Sequence, residues 1–212
     1  MKFHIEVTGE KHCAYADEIC REMEESAKVR GTGIAKRSSD YVRKKMCEGK
    51  AVIALDEENR FAGFSYIESW SHYCFVANSG LIVNPQYRKS GLARQIKKKI
   101  FELSRKIFPN AKIFSITTSL AVMKLNSEIG YKPVTFSELT DDEEFWRGCE
   151  SCVNYDILQR NNRRMCLCTG MLYDPNKDEK FNFIKKMNVL ERFRRLTTAK
   201  EGTNPKDSNI YR

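Results

Sequence analysis

The spacing of apolar residues divides the chain before Val134 into short strands and amphipathic helices. Apolar residues at alternate positions or in short unbroken runs indicate strands, and apolar residues three or four positions apart indicate helices. The predicted strands are Phe3 to Val7, Ala51 to Leu55, Phe61 to Trp70, Phe75 to Val83, Ile113 to Thr118 and a segment ending at Val134. The predicted helices are His12 to Ala27, a second from a cap at Ser38 or Ser39 to Cys47, Leu92 to Phe108, and Leu120 to Ile129. This order predicts an α/β protein.

A basic turn containing Gly91 connects the fourth predicted strand to the third predicted helix. The first N–H groups of a helix have no partners within it, and together with the helix dipole they favour an anion such as a pyrophosphate. A glycine here lets the ligand approach the backbone closely. An ordinary strand-to-helix turn with a glycine for packing is the alternative. The residues predicted to bind the cofactor are Leu81, Ile82, Val83, Arg88, Lys89, Ser90, Gly91, Leu92 and Ala93.

This turn resembles the coenzyme A loop of the GCN5-related N-acetyltransferases (GNATs). In that family V-x-P-x-x-R leads into Q/R-x-x-G-x-G/A, and Val83, Pro85, Arg88, Gly91 and Ala93 occupy those places. The resemblance implies the GNAT fold, a mixed and mostly antiparallel central sheet flanked by helices. It also implies acetyl-CoA as cosubstrate, with its pantetheine arm lying between splayed middle strands like an added strand. Backbone N–H groups of residues 81–83 are then expected to face the thioester carbonyl.

Three further segments, in order, resemble the acetyltransferase domain of bacterial N-acetylglutamate synthase. They are Gly33 to Ser38, Ile116 to Ser119 and Gly130 to Leu139, and with the loop the match covers roughly residues 28 to 140. The resemblance implies acetylation of the α-amine of a small amino acid, glutamate first, as in arginine biosynthesis. Two alternatives stay open. One is an enzyme that acetylates protein or peptide amines, and the other is a non-catalytic acyl-CoA-binding or zinc-containing interaction protein.

Glu68 and His72 are the candidate general bases for this reaction. A protonated amine cannot attack a thioester, so a base must first remove a proton, usually through water. Glu68 lies near the end of the third predicted strand and faces the slot if the register is right. His72 is the second candidate because its unperturbed pKa near 6.5 suits the role. A solvated strand-end charge and an ordinary loop residue are the alternative interpretations.

Asn126 occupies the position at which many relatives carry a tyrosine that protonates the leaving thiolate, four residues before Gly130. An asparagine can donate a hydrogen bond at that position but cannot deliver a proton at neutral pH. We therefore include Asn126 among the catalytic candidates, and we expect solvent to protonate the thiolate.

An acceptor with two carboxylates calls for arginines, whose planar forks bind carboxylates through two hydrogen bonds. Arg37 occupies the R-S position of the resemblance and is the first candidate, with Lys36 in reserve. A second arginine is expected from Arg163 or Arg164, in a basic stretch similar to one near the family's C-terminus. The alternative for each is a solvated surface charge.

A C-x-x-C pair followed by a C-x-C pair distinguishes this chain from the family. Four thiolates suffice to close a tetrahedral zinc site, and a reducing compartment favours metal over disulfides. The predicted zinc ligands are Cys149, Cys152, Cys166 and Cys168, and the last two share a face if they lie in a strand. Buried free thiols or a redox pair are the alternatives. The remaining cysteines are expected to pack in the core, and they are Cys13, Cys20, Cys47 and Cys74.

Charge and hydropathy restrict the class of protein. The 212 residues carry a formal net charge of +9, which suits an acidic cofactor, and no nucleic-acid-binding motif is present. No apolar run of about 18 residues and no signal-peptide pattern occur, which predicts a cytoplasmic protein.

Four segments are predicted along the chain: a GNAT core at 1–140, a Cys-containing extension completing or capping it at 141–175, an amphipathic helix at 176–196 and a flexible tail at 197–212. That helix is expected to dock on the domain or on a second subunit of a homodimer. Membrane association is the less favoured alternative.

Overall fold

The computed structural model of the protein describes residues 2–30 and 36–177. A compact unit runs over Met1–Asp174, and a second unit, Pro175–Arg212, is described only at residues 175–177. The predicted helix at 176–196, beyond its first two positions, and the predicted tail at 197–212 therefore lie outside the described residues. Residues 33–35 of the resemblance lie outside them too. Within the described ranges, no helix has both the length and the apolar character needed to cross a membrane.

The strands and helices follow the predicted order closely. The strands are β1 His4–Val7, β2 Ala51–Leu55, β3 Phe61–Trp70, β4 Phe75–Val83, β5 Lys112–Thr117, β6 Lys132–Val134 and β7 Thr169–Tyr173. The helices are α1 Ala16–Arg30, α2 Ser39–Cys47, α3 Leu92–Ile107, α4 Leu120–Glu128, α5 Glu143–Arg147 and α6 Tyr155–Arg160. The helix expected from His12 instead begins with a 3-10 turn over Glu10–Tyr15. The His12 ring accepts a hydrogen bond from the Gly9 N–H (3.1 Å), which stabilises this tighter turn.

The strands form one seven-stranded sheet in the order β1-β2-β3-β4-β5-β7-β6. Only β4 and β5 pair in parallel within it, and the other neighbours are antiparallel. The predicted mixed, mostly antiparallel sheet is therefore confirmed. β7 was not among the predicted strands, and it lies between β5 and β6. The segment at 141–175 thus supplies a strand inside the sheet.

Helices cover both faces of the sheet. α3 packs Leu92, Ile96 and Ile100 with Val76 and Ile113, and we call this side the α3 face. On the other side, α1 and α2 pack on β2, β3 and β4, and the segment containing α5 and α6 packs on β5 and β7. We call that side the α1 face. Alternate residues of each strand point to opposite faces, so the burial pattern of one strand determines which residues meet which helices.

The sheet opens between β4 and β5. The two strands pair only from Phe75–Ala77 to Lys112–Phe114, although both continue further. A bulge in β4 sets Gly80 and Leu81 against one residue of β3. Gly80 has φ +63°, and a Cβ at this position would lie 2.4 Å from the Tyr66 ring, so only glycine fits. The bulge and the early end of pairing leave a gap between the two strands.

Candidate active site

A cavity of about 440 Å³ lies at the gap between β4 and β5. It is lined by residues of both strands, including Ser79 of β4 and Ser115 of β5. Arg37 and Glu68 line it from the α1 face, whereas Lys97 lines it from the α3 face. Because its walls come from both faces, the cavity passes through the sheet. Two ligands that enter from opposite faces would meet inside it.

Glu68 is the centre of a hydrogen-bonded cluster on the α1 face. Glu68 is 4% exposed, and its Oε1 accepts from the Tyr41 hydroxyl at 2.5 Å. Its Oε2 accepts from the Ser79 hydroxyl at 2.5 Å, and Arg37 Nη2 lies 3.5 Å from Oε1. Arg37 Nε also donates to the Tyr66 hydroxyl at 2.9 Å. The carboxylate is buried, but each of its oxygens accepts hydrogen bonds, which offset the cost of burial.

The cluster retains capacity for further hydrogen bonds. A carboxylate offers about four acceptor positions, and the three protein donors leave about one of them on Glu68. The guanidinium of Arg37 has five N–H groups, of which Tyr66, Glu68 and the Lys36 carbonyl take three. Burial, and after it the charge of Glu68, raises the pKa of Tyr41 far above its usual value, so Tyr41 stays a donor. A ligand in the cavity would find one acceptor and two donors.

Arg37 remains a cation in this environment. Burial acts to lower its pKa, but Tyr66 and Glu68 outweigh that effect and hold the pKa of Arg37 above its usual value. The first candidate for carboxylate binding therefore lines the cavity as a permanent charge.

His72 lies away from the cavity. It occupies the exposed turn between β3 and β4, where Ser71, His72 and Tyr73 all have positive φ. That turn is at the end where β4 and β5 are paired, and His72 does not line the cavity. Glu68 and His72 are close in sequence, but β3 ends at Trp70, and His72 lies in the turn beyond it. Of the two candidate bases, the structure brings Glu68 alone to the cavity.

Arg163 and Arg164 do not line the cavity either. Arg163 pairs with Glu143 at 2.6 Å, and Arg164 is exposed. Both follow α6 in a turn in which Asn162 and Arg163 have positive φ. The ion pair with Glu143 directs the Arg163 guanidinium to the surface. The second arginine expected at the acceptor site is therefore not found at these positions.

The loop before α3 has the form expected of an anion site. Gly91 is the N-cap of α3 with φ +80°, and no atom of the described residues lies within 4 Å of the position a Cβ would take. The first hydrogen bond within α3 runs from the Gln95 N–H to the Gly91 carbonyl, and the first turn carries no acidic residue. The preceding N–H groups, including those of Leu92 and Ala93, therefore have no acceptor within the helix.

The other loop residues divide between the loop and the strand. Lys89 and Ser90 are exposed, while Arg88 turns back to α1 and donates to Ser26 at 2.8 Å. In β4, Leu81 lines the cavity, whereas Ile82 and Val83 pair with β3 and do not line it. Among the backbone N–H groups expected to face the thioester carbonyl, those of Leu81 and its neighbours at the bulge therefore remain as candidates.

Asn126 is fully buried behind the cavity rather than in its wall. Its Nδ2 donates to the Ser115 hydroxyl at 2.8 Å, and its Oδ1 has no partner among the described residues. Ser115 does line the cavity, with its own proton still available to donate. The structure therefore makes Asn126 a support for Ser115, without direct access to a ligand in the cavity.

The four cysteines of the predicted zinc site all line the cavity. Burial raises the pKa of Cys149 to about 11 and that of Cys168 to about 12. Cys166 and Cys168 precede β7 in irregular backbone, so the shared strand face is not realised. Among residues 2–30 and 36–177, no group of three or more His, Cys, Asp or Glu is arranged to hold a metal ion. The zinc site has no support there and stays a prediction.

The expectation that the remaining cysteines pack in the core holds for two of them, because Cys13 and Cys20 pack against the core of the α1 face. Cys47 and Cys74 are exposed, and Cys13 and Cys20 are half-buried. The Sγ atoms of Cys13 and Cys47 lie 2.9 Å apart near the surface. The expectation was wrong for Cys47, the last residue of α2, and for Cys74, in the turn before β4, because the backbone leaves the core at both positions.

Lys97 is a charged residue of the cavity wall that was not among the predicted site residues. It is 2% exposed, and its ammonium lies 4.9 Å from the centre of the Tyr131 ring. It belongs to a run of three lysines in an amphipathic helix, which indicates a solvated face. The signal was its spacing, because Ala93, Lys97, Ile100 and Ser104 follow the i, i+4, i+7, i+11 pattern of a buried stripe.

Known proteins match this chain in structure only. No protein-family model matches the sequence, and no curated protein matches it. N-acetylglutamate synthase from Neisseria gonorrhoeae, solved with coenzyme A and N-acetyl-glutamate, matches 82% of this chain with a TM-score of 0.57 and 17% identity. The match covers 35% of that protein, so this chain spans about a third of its length.

Two shorter proteins match over most of their own length. A GNAT superfamily phosphinothricin acetyltransferase from Sinorhizobium meliloti, solved with AcCoA, has a TM-score of 0.56 and 12% identity, covering 82% of this chain and 89% of its own. Rv2747 from Mycobacterium tuberculosis, solved with CoA, has a TM-score of 0.57 and 12% identity, covering 81% and 98%. Likeness at such low identity establishes the fold, and the chain has the fold of the GCN5-related N-acetyltransferases, as its sequence predicted.

Proposed function

We propose that the protein is an N-acyltransferase that moves an acyl group from coenzyme A to the α-amine of a small amino acid, glutamate first. The observation that carries the proposal is the cavity through the sheet. It joins the buried Arg37–Glu68 cluster on one face to the open edge of β4, which leads to the loop at Gly91. A transferase needs this arrangement, since donor and acceptor must meet with their reacting atoms aligned.

The coenzyme is assigned to the gap between β4 and β5 and to the start of α3. Free N–H groups and the dipole at Gly91 favour the pyrophosphate. The pantetheine amides then pair with the unpaired edge of β4 beyond Ala77. Structures of the same fold solved with CoA or AcCoA support coenzyme A as the ligand. Acetyl-CoA is the simplest donor for such a site.

The acceptor is assigned to the α1 face. The two N–H groups left on Arg37 suit a carboxylate of the amino acid, and the acceptor position left on Glu68 suits its ammonium. The synthase of the same fold was solved with N-acetyl-glutamate, which supports glutamate as the first acceptor to test. Only one arginine lines the cavity within the described residues. A second carboxylate on the acceptor must therefore accept hydrogen bonds from groups other than a second arginine of this wall.

The reaction follows from these positions. Glu68, directly or through water, removes a proton from the ammonium, and the neutral amine attacks the thioester carbonyl. The oxyanion accepts hydrogen bonds from backbone N–H groups near Leu81. The attacking nitrogen then loses its second proton to water. Collapse of the intermediate breaks the carbon–sulfur bond and forms the amide, the sulfur leaves with the electron pair, and solvent protonates the thiolate. Asn126 has no direct part in this sequence, because it lies behind Ser115.

Release of free coenzyme A from acetyl-CoA tests the proposal directly. The full chain is assayed with single amino acids, glutamate included, and with a few basic peptides. We expect release that depends on an amino acid with a side-chain carboxylate. Release with peptides alone would move the function to protein modification. Tight binding of coenzyme A with no release for any acceptor or acyl donor would contradict a transferase.

A further inference from the structure

The Lys97 side chain is a buried amine that lines the cavity and has no partner of opposite charge among the described residues. It is 2% exposed and lines the cavity wall on the α3 face. Within residues 2–30 and 36–177 its ammonium makes no hydrogen bond and no ion pair, and it lies 4.9 Å from the centre of the Tyr131 ring. Burial lowers the pKa of Lys97 to about 7, with no opposing contribution from an acid. A buried lysine of this kind is costly unless a ligand supplies the missing charge.

The polar groups around Lys97 are already committed to one another. Tyr131 donates to Asn78 Oδ1 at 2.9 Å, and Asn78 Nδ2 donates to Ser104 at 2.7 Å. Ser104 in turn donates to the Ile100 carbonyl at 2.8 Å. None of these residues is acidic. The charge that would pair with Lys97 must therefore come from a molecule in the cavity.

We propose that Lys97 binds the terminal carboxylate of the transferred acyl group, so that the preferred donor is a dicarboxylic acyl-CoA of the succinyl type. This inference rests on the proposed function and specifies its donor. The Ser115 hydroxyl, which lines the same cavity and keeps its proton, is available as a second donor.

The other anionic groups of the two substrates are assigned to other parts of the site. The phosphates of the coenzyme belong at Gly91, and Lys97 is six residues further along α3, about 9 Å along its axis. The pantetheine arm carries neutral amides. The acceptor carboxylate is assigned to Arg37 on the opposite face. An acetyl group ends in a methyl, which would leave the ammonium unpaired. Two charged groups then remain, the second carboxylate of a glutamate acceptor and a carboxylate on the acyl group. The acceptor enters beside Arg37 on the α1 face, whereas the acyl group arrives on the coenzyme assigned to α3, so the acyl carboxylate is the better partner for Lys97.

Donor preference tests the inference. With a fixed acceptor, kcat/KM is measured for succinyl-CoA and for butyryl-CoA, which has the same chain length without the carboxylate. We expect the wild type to prefer succinyl-CoA by roughly 100-fold, because a site built for a charged group rejects an analogue that lacks it. Lys97→Met should lose roughly 100-fold with succinyl-CoA and less than about threefold with butyryl-CoA. Lys98→Met is the matched control, since Lys98 is the exposed neighbour on the same helix.

A binding measurement separates this inference from the proposed function. Calorimetry with S-(3-carboxypropyl)-CoA and S-butyl-CoA reports affinity without turnover. We expect tighter binding of the carboxylated analogue, lost in Lys97→Met. Failure of CoA itself and of both analogues to bind would overturn the proposed function. Equal binding of the two analogues would overturn the role of Lys97 and leave the proposed function intact. An equal loss of turnover with every donor in Lys97→Met would do the same.

Discussion

The charged side chains on the two faces of the cavity differ in whether they have partners within the protein. On the α1 face, Arg37, Tyr41 and Ser79 all donate to Glu68, so the charged groups are paired before any ligand arrives. On the α3 face, Lys97 has an aromatic ring beside it, and no acidic residue pairs with it in the described part of the chain. The paired cluster keeps its geometry in the free protein, as a site for positioning and proton transfer requires. The unpaired lysine instead leaves a charge for a ligand to neutralise.

This contrast separates two kinds of substitution. A change on the α1 face removes one member of a hydrogen-bonded set and disturbs the others, so its effect extends beyond one contact. A change at Lys97 removes an amine that makes no hydrogen bond or ion pair with any described residue. We therefore expect α1-face variants to alter acceptor use and turnover, and α3-face variants to alter donor use.

Replacement of Glu68 should give the largest loss of activity. Glu68→Gln keeps the shape of the side chain but removes the base, so kcat should fall roughly 10²–10⁴-fold. Tyr41→Phe, which removes one donor to Glu68 without removing the base, is the matched variant and should lose far less. Steady-state kinetics with saturating acyl-CoA measure both. A Glu68→Gln enzyme as active as Tyr41→Phe would show that Glu68 is not the base.

Gly91→Val should weaken coenzyme A binding by roughly 100-fold, because its side chain would occupy the open space at the start of α3 and force a β-branched residue into positive φ. Gly49→Val is the control, since Gly49 also has positive φ but lies at the end of α2. Calorimetric titration with coenzyme A gives the dissociation constants. An unchanged constant in Gly91→Val would mean that the pyrophosphate binds elsewhere.

Arg37→Ala should raise the KM for the amino acid by roughly 10- to 100-fold, the range expected for loss of a charged hydrogen bond. The KM for the acyl donor should change little, because the donor is assigned to the other face. Arg43→Ala removes an exposed arginine paired with Asp17 and Asp40 and serves as control. Equal increases in both Michaelis constants would remove Arg37 from the acceptor site.

The pH dependence of stability isolates Lys97 in the absence of substrates. Its pKa is about 7 when folded and near 10.4 when unfolded, so between these values the unfolded chain binds more protons. Stability should therefore fall as pH falls from about 10 to 7, with Lys97 contributing a slope of about 1 kcal/mol per pH unit. Urea unfolding of the wild type and Lys97→Met at several pH values measures the difference. Parallel curves would mean that Lys97 is not buried as a free amine.

Local patterns in the sequence were sufficient to predict most of the strands and helices. The limits of β2 and β3 match the prediction, because each is a run of apolar residues bounded by polar turns. Gly91 was placed at the start of α3 from its turn chemistry. β7 was missed, because five residues after a cysteine-rich segment give too short a pattern to distinguish strand from loop. Its place inside the sheet is a long-range property.

The site was predictable where it depends on strand alternation. Glu68 faces the cavity together with Tyr66 because the two are separated by one residue of β3. His72 and Arg163 could not be placed, because their positions depend on the end of a hairpin and on an ion pair with Glu143. Lys97 was missed because the two exposed lysines that follow it obscure its position on the buried side of α3.

The most direct test of transfer between the two faces is the mass of the product. The full chain is incubated with ¹⁵N-labelled glutamate and equal concentrations of acetyl-CoA and succinyl-CoA, and the amino-acid products are identified by mass spectrometry. We predict labelled glutamate carrying an acyl group on its nitrogen, with the succinyl product in excess. Release of coenzyme A with no labelled amide would show hydrolysis rather than transfer, and would contradict the meeting of the two substrates in this cavity.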